Sequence, residues 1–272
     1  FTFSAVFVLN DKMVIEEEWY GKTLIYSDHR FSYEEVQFIL ESKDKNVSAE
    51  VSLTGQPYTV SKEIYHALQE LNFYAKSLRE KRMKNGALSF DRVEVNFDLD
   101  NEDNPSSVFF KTSKDANKLV EELMLLANKR VAEFIGKEKR KIPFVYRVHD
   151  LPDENKLINL KNIAKYLGYE LNLDSNKINN SLNRLLQDSQ GKREEQLLNT
   201  LIIRSMSKAV YTTENIGHYG LAFDHYTHFT SPIRRYPDIL VHRLLESHIN
   251  GRNKINQGSL KEACIHSSSR EQ

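Results

Sequence analysis

The chain has 272 residues, 40% of them apolar and 28% charged, the make-up of an ordinary globular protein with material for one large domain or two small ones. Lys plus Arg number 38 and Asp plus Glu number 38, which excludes a globally basic surface, so any groove for nucleic acid has to be local. A single cysteine, Cys264, excludes an intrachain disulfide framework, and no apolar run approaches the length of a membrane span; a cytoplasmic setting is the expectation.

In chain order, Phe1, Phe3, Ala5, Phe7 and Leu9 alternate with other residues, and with residues 13–18 they predict a β-hairpin turned at Asn10-Asp11. Thr23 to Tyr26 reads as a third short strand. Ser32 and Glu35 form a capping box that starts a helix with Tyr33 on its first turn, and Phe31 is placed to staple to Val36. Ile64, Leu68, Leu71, Ala75 and Leu78 recur at steps of three and four, predicting a helix over 60–84 that Asn85-Gly86 ends. Arg79, Lys81, Arg82 and Lys84 gather at that end, either as a local basic groove or as a solvated face favoured by the helix dipole.

A second hairpin follows over 93–99 and 108–110. Asp98, Asp100 and Asp103 lack the glycine and terminal glutamate of a calcium loop and read as a polar turn. Ser113 is the expected cap of a helix reaching Phe134, with Leu119, Leu123, Leu126 and Val131 toward the core. Glu121 and Glu122 sit side by side on it; neighbours on a helix lie about 100° apart, so they cannot share a pocket, and a surface role is the default. Phe144 to Val148 reads as a buried strand, and helices are expected near 153–167, 175–187 and 192–208. There is no internal repeat, P-loop, dinucleotide fingerprint or C-x-x-C. The chain opens directly on a strand and stops inside a helical pattern, which gives the expectation that it is a segment of a longer protein.

One stretch concentrates chemistry: HYGLAFDHYTHFTSPIRRYPDILVHR, from His218 to Arg243. Ser231 suits a helix N-cap and Pro232 a first helical position, with the helix running on through Pro237 to Gly251. Arg234 and Arg235 would then sit beside free backbone N–H groups and the positive end of the dipole, an anion site. Arg presents a planar fork that matches phosphate oxygens. Tyr219, Phe223, Tyr226, Phe229 and Tyr236 supply rings on which bases can stack. The residues alone leave two readings open: a site for a phosphodiester chain, or a buried helix start with a structural arginine ion pair. His218, His225 and His228 have no cysteine beside them and no familiar zinc spacing, and Ser231 lacks a G-x-S-x-G elbow.

The run H-F-T-S-P-I-R-R-Y-P-D-x-x-x-H-R resembles the signature of the RNase II/RNase R (RNB) exoribonuclease family, in wording closer to its ribonuclease R branch. The resemblance continues through LIIRSMSKAVYTTENIGHYGLA, NGALSFDRVEVNFDLD, KLVEELMLLANKRVAEF, FTFSAVFVLN and the segment from Trp19 to Leu40, so it covers essentially the whole chain. It implies an α+β fold, a mixed, mainly antiparallel sheet packed by long helices. Residues 1–272 would form part of an RNB catalytic domain, lacking its N-terminal portion and its C-terminal end, with the OB-fold RNA-binding domains absent.

The resemblance further implies a 3′–5′ exoribonuclease that degrades single-stranded RNA processively to nucleoside 5′-monophosphates. The family holds its Mg²⁺ ions on an aspartate cluster of the form D-x₅-D-x-D-D. This sequence contains no such cluster, so the ligands are expected upstream of residue 1, with no metal ligand in the chain and no activity from the chain alone. Carried over residue by residue, Arg234 is the catalytic residue that meets the non-bridging oxygens. Thr230, Ser231 and Arg235 hold neighbouring phosphates, Tyr33 and Phe90 stack on or wedge the terminal bases, and Glu121 contacts a sugar hydroxyl. Asp238 and His242 orient the arginines or cap the helix. A monomer acting on RNA, without DNA or membrane, is the expectation. Two alternatives remain beside it: a non-catalytic RNA-binding relative, and a structural helical module whose arginine turn binds protein carboxylates.

Overall fold

The N-terminal alternation becomes β1 (Thr2–Leu9), paired antiparallel with β2 (Ile15–Thr23) so that Thr2 faces Thr23 and Ala5 faces Tyr20. The computed structural model describes residues 1–10, 13–89, 93–100, 102, 104–138, 142–174, 178–252 and 256–271; Asp11, Phe90 and Asp103 lie outside these. Phe3, Ala5 and Phe7 share one face of β1 and pack on the main core, as the period of two requires. The predicted third strand at 23–26 does not form. Leu24, Ile25 and Tyr26 are exposed, and among the described residues no strand takes their backbone hydrogen bonds.

The capping box is present as predicted. Glu35 N–H donates to Ser32 Oγ (3.1 Å) and Ser32 N–H to Glu35 Oε2 (2.6 Å), opening α1 (Tyr33–Ser42). Phe31 packs on a small core of Ile39, Val47 and Val60, beneath the pair β3 (Asn46–Val47) and β4 (Tyr58–Thr59). α2 (Lys62–Lys84) lies against α3 (Asp115–Gly136). Between them β5 (Val93–Leu99) pairs with β6 (Pro105–Thr112), and Asp100 Oδ1 accepts the N–H groups of Glu102 and Asn104, both at 2.9 Å, a polar turn as expected. α3 is capped at Lys114 instead of Ser113, because Asn117 Oδ1 reaches back to accept Lys114 N–H at 3.2 Å.

β7 (Tyr146–Val148) pairs with β8 (Val210–Thr212); Phe144 and Val145 are buried just ahead of that ladder and outside it. α4 (Glu154–Tyr166), α5 (Ile178–Ser189) and α6 (Glu195–Ser205) close on Leu157, Leu160, Leu182, Leu185, Leu198 and Ile202. Each such buried aliphatic side chain is worth roughly 1.5–3 kcal/mol. α7 (Tyr236–Ile249) and α8 (Gln257–Glu271) complete the chain. The main core joins Val131, Ala132 and Ile135 of α3 to Val241, Leu244 and Leu245 of α7 and to Leu260 and Cys264 of α8.

The fold class is therefore α+β, with long helices carrying most of the core. The strands form four separate two-stranded antiparallel pairs among the described residues. Among the same residues no helix is long and apolar enough to cross a membrane.

Candidate nucleic-acid interface

The arginine turn precedes its helix instead of opening it. α7 begins at Tyr236 with Arg235 as its cap residue and Pro237 in the first turn. Ser231 is thus not the N-cap and Pro232 not the first helical residue. Two prolines offered a helix start, and the structure uses the second, whose missing N–H is harmless there. Asp238, fully buried, reaches back from the first turn: its Oδ1 accepts Ser231 N–H at 2.7 Å and Arg235 Nη2–H at 2.9 Å. The N–H groups of Arg234 and Arg235 donate to the Ser231 carbonyl (3.3 and 3.1 Å), and that of Thr230 donates to Asn128 Oδ1 (3.2 Å).

The backbone N–H groups of Thr230, Ser231, Arg234 and Arg235 are therefore taken from within the protein, and the side chains of the turn remain to meet an anion. Arg235 is ion-paired with Asp238. Arg234 is exposed, and its guanidinium has no ion-pair or hydrogen-bond partner among the described residues. Thr230 Oγ1, Arg235 Nε and Asp238 Oδ2 are buried without a partner among those residues, leaving polar capacity at the turn for water or a ligand.

The segment that leads into the turn is built into the core. Tyr226 and Phe229 are 5% and 4% exposed, so neither ring is free for a base, against expectation. Phe229 lies 4.5 Å from the His242 ring and 6.0 Å, edge-on, from Phe3 of β1. Tyr226 packs between His218 (5.2 Å) and His228 (5.6 Å). Tyr236 is half exposed and remains available. Asp238 does orient Arg235 as expected, but His242 touches neither arginine: its Nε2–H donates to the Phe229 carbonyl at 2.7 Å.

Burial and charge keep the surrounding histidines neutral. Burial pushes His218 down to about 3, with His149 and Arg147 adding to it. Burial likewise pushes His228 down to about 2, helped by the positive charges of Arg235 and Arg147, by His218 and by Arg234. His149 is lowered first by burial. Its Nδ1 accepts Gly220 N–H (3.0 Å), so its Nε2–H donates to the Ser207 carbonyl (2.8 Å). Three arginines thus bear on one neutral ring, two of them ion-paired, Arg147 with Glu271 and Arg235 with Asp238. Among the described residues no group of three or more His, Cys, Asp or Glu could hold a metal ion, so these residues do not fit a resident divalent cation.

The other predicted residues lie on two further helices. Tyr33 is the first residue of α1, 45% exposed, and no hydrogen bond or ring contact among the described residues joins it to the Thr230–Arg235 turn. Glu121 is exposed on α3, 3.7 Å from Arg82 Nη2. Its neighbour Glu122 is buried and paired with Arg82, so Glu121 keeps the surface place expected of the pair while Glu122 and Arg82 do not. α1 and α3 meet where Ala116 N–H donates to Gln37 Oε1 at 2.9 Å. The fold therefore brings Thr230, Ser231, Arg234 and Arg235 together, while Tyr33 and Glu121 stand apart on α1 and α3; Phe90 lies outside the described residues.

One residue of the site was passed over at the sequence level. Leu119, Glu122, Leu125 and Asn128 fall at steps of three on the buried stripe of α3. A polar residue at a core position was the available signal, because a buried amide has to find partners.

A profile of the RNB domain matches residues 1–251. Ribonuclease R of Aquifex aeolicus is 36% identical over 201 residues, which covers 73% of this chain and 28% of that protein. Ribonuclease R of Vibrio parahaemolyticus is 36% identical over 236 residues, 86% of this chain and 27% of that protein. The chain thus spans less than a third of either relative. The solved structure of Mycoplasma genitalium RNase R in complex with ribose-methylated single-stranded RNA matches with a TM-score of 0.85 at 23% identity, covering 99% of this chain and 41% of that one, a likeness of fold.

Proposed function

The chain belongs to the RNB domain family of exoribonucleases, and from that premise we propose that the protein carrying it degrades single-stranded RNA processively from the 3′ end, releasing nucleoside 5′-monophosphates. The observation that carries the proposal to this site is Arg234, an exposed guanidinium without a partner among the described residues, on a turn fixed at both ends by buried side chains. In the hydrolysis a water oxygen bonds to phosphorus. The bond to the 3′ oxygen of the preceding nucleotide breaks, and that oxygen leaves with a proton. Negative charge builds on the non-bridging oxygens, where the planar fork of Arg234 can donate two parallel hydrogen bonds.

Thr230, whose hydroxyl has no partner among the described residues, and Ser231 hold the next phosphate in this reading, with Arg235 beside them on its Asp238 pair. Tyr33 stacks on a terminal base and Glu121 accepts a sugar hydroxyl. The Mg²⁺ of the proposal takes its carboxylates from outside these residues, no step above runs through it, and the chain alone is expected to be inactive. We place the protein's work in the cytoplasm, as a monomer acting on RNA. A structural helical module is not favoured, since the relatives matched are ribonucleases.

The test uses the full-length protein on a 5′-labelled single-stranded oligoadenylate, with Arg234→Lys beside the parent. Lys keeps the charge and loses the fork, so turnover falls by about 2.7–4 kcal/mol of barrier, roughly 10²–10³-fold, while RNA affinity holds. Unchanged turnover with weakened binding would make Arg234 an anchor only. Internal cleavage products from the parent would sink the exonucleolytic reading.

A further inference from the structure

A buried amide is costly unless its donors and acceptors are used, and Asn128 uses them on one short segment. Only 3% exposed, it accepts Phe229 N–H at 2.8 Å and Thr230 N–H at 3.2 Å on Oδ1, and its Nδ2–H donates to Tyr226 Oη at 3.2 Å. Both acceptor sites of the amide and one of its donors are therefore spent on the five residues that run into the Ser231–Arg235 turn. Asp238 grips the far side of the same turn through Ser231 N–H and Arg235. Between these two grips the chain has little freedom: Pro232 fixes its own φ, and Arg234 and Arg235 tie back to the Ser231 carbonyl.

We propose that Asn128 is a positioning residue for Arg234, holding the backbone register of Tyr226–Thr230 so that the guanidinium meets the reacting phosphate. It touches no substrate; it acts through the two amides it accepts. The inference rests on the reading of Arg234 given above. Its location also ties the arginine turn to α3, the helix that carries Glu121, so one rigid rod sets the spacing between two proposed contacts to the RNA.

The experiment compares Asn128→Ala, Asn128→Asp and Tyr226→Phe in the full-length protein. It measures single-turnover cleavage of oligoadenylate, RNA affinity, thermal midpoint, and amide exchange of the peptide containing Phe229–Arg235. Asn128→Ala loses about 10- to 100-fold in the cleavage step, the size of loss expected from misplacement by roughly an ångström, with RNA affinity held within about threefold. Asn128→Asp keeps an oxygen for both amides and can accept from Tyr226 Oη, so it recovers to within about threefold of the parent. Tyr226→Phe removes one leg of three and falls between them.

Equal losses in the Ala and Asp variants, or a loss confined to affinity, would overturn the proposal. Should Asn128→Ala fail to fold, the remaining two variants decide: Asp near the parent and Phe below it at unchanged thermal midpoint supports it, the reverse order overturns it. If the parent does not degrade RNA at all, the functional reading fails separately. The exchange arm then decides for Asn128: faster exchange across Phe229–Arg235 in the Ala variant, restored by Asp, supports the register role, and unaltered exchange removes it.

Discussion

The turn ahead of α1 is closed by residues three apart in sequence, Ser32 and Glu35, each taking the other's backbone N–H. The turn ahead of α7 is closed from a distance: Asp238 reaches back seven residues to Ser231, and Asn128 holds Thr230 from 102 residues away. The first turn is closed by local hydrogen bonding, with Leu53 N–H and Tyr58 adding to the hold on Glu35. The second exists only when α3 and α7 are already packed, so its geometry is a property of the tertiary core. A side chain that must be placed to a fraction of an ångström is better carried by the second kind of turn, because the core does not deform continuously.

The sharpest way to break this contrast is Asp238→Ala. It leaves the guanidinium of Arg235 and the N–H of Ser231 without their buried acceptor, a change that typically costs about 3–5 kcal/mol; the partial exposure of Arg235 points to the lower end. Denaturant unfolding of the full-length protein or its RNB domain is the measurement. A loss below about 1 kcal/mol, the worth of an ordinary cap, would mean that the arginine turn supports itself locally as the α1 turn does.

The same contrast explains what could be read from the sequence. Ser32 with Glu35, the apolar steps of α2 and the leucine spacing of α4 to α6 are local patterns, and each became the element it suggested. The start of α7 was misread because Ser231-Pro232 and Pro237 both satisfy the local rules for a helix start, and the carboxylate of Asp238 decides between them only in three dimensions. Thr23 to Tyr26 is a short β-prone run, yet such a run does not supply a neighbour to pair with. Arg82 looked like one of four solvated cations, and only its burial against Glu122 distinguishes it. Asn128 was visible as a polar residue in an apolar stripe, while its partners, a hundred positions away, were not. The arginine turn itself was legible through resemblance, and its supporting side chains were not.

A second effect separates the two turns by pH. His218 and His228 surround Tyr226 and are held neutral in the fold, at about 3 and about 2. The unfolded chain binds their protons near 6.5, before the folded chain does. Their contribution is therefore fully present above about pH 6.5 and is lost as pH falls toward those folded values, by up to about 1.4 kcal/mol per pH unit for each histidine. Glu35 behaves differently. Burial raises it, but the N–H groups of Ser32 and Leu53 and the hydroxyl of Tyr58 outweigh burial and lower it overall. Its contribution is present above the ordinary carboxylate range and lost only below it. Amide exchange between pH 7 and pH 4 should loosen the Phe229–Arg235 segment first, and His228→Gln should flatten that slope. Loosening of α1 ahead of the arginine turn would reverse the assignment.

The smallest effect expected is that of Ser32→Ala. The substitution removes the hydroxyl that accepts Glu35 N–H, one hydrogen bond at a helix start, and typical losses for such caps are about 1 kcal/mol. The rest of the box does not depend on that hydroxyl: Glu35 still accepts from Ser32 N–H, from Leu53 N–H and from Tyr58, so the carboxylate stays paired and no buried charge is exposed. Phe31 still packs on Ile39, Val47 and Val60, which holds the entry of the chain in place. The loss should then stay within α1, appearing as faster exchange of its first-turn amides and a small fall in thermal midpoint. Exchange across Phe229–Arg235 should not move, because none of the groups that fix that segment, Asn128, Asp238 and His242, touches the cap. If Ser32→Ala also loosens the arginine turn, the two turns share one cooperative unit, and the distinction between a locally closed and a core-closed turn does not hold for this protein.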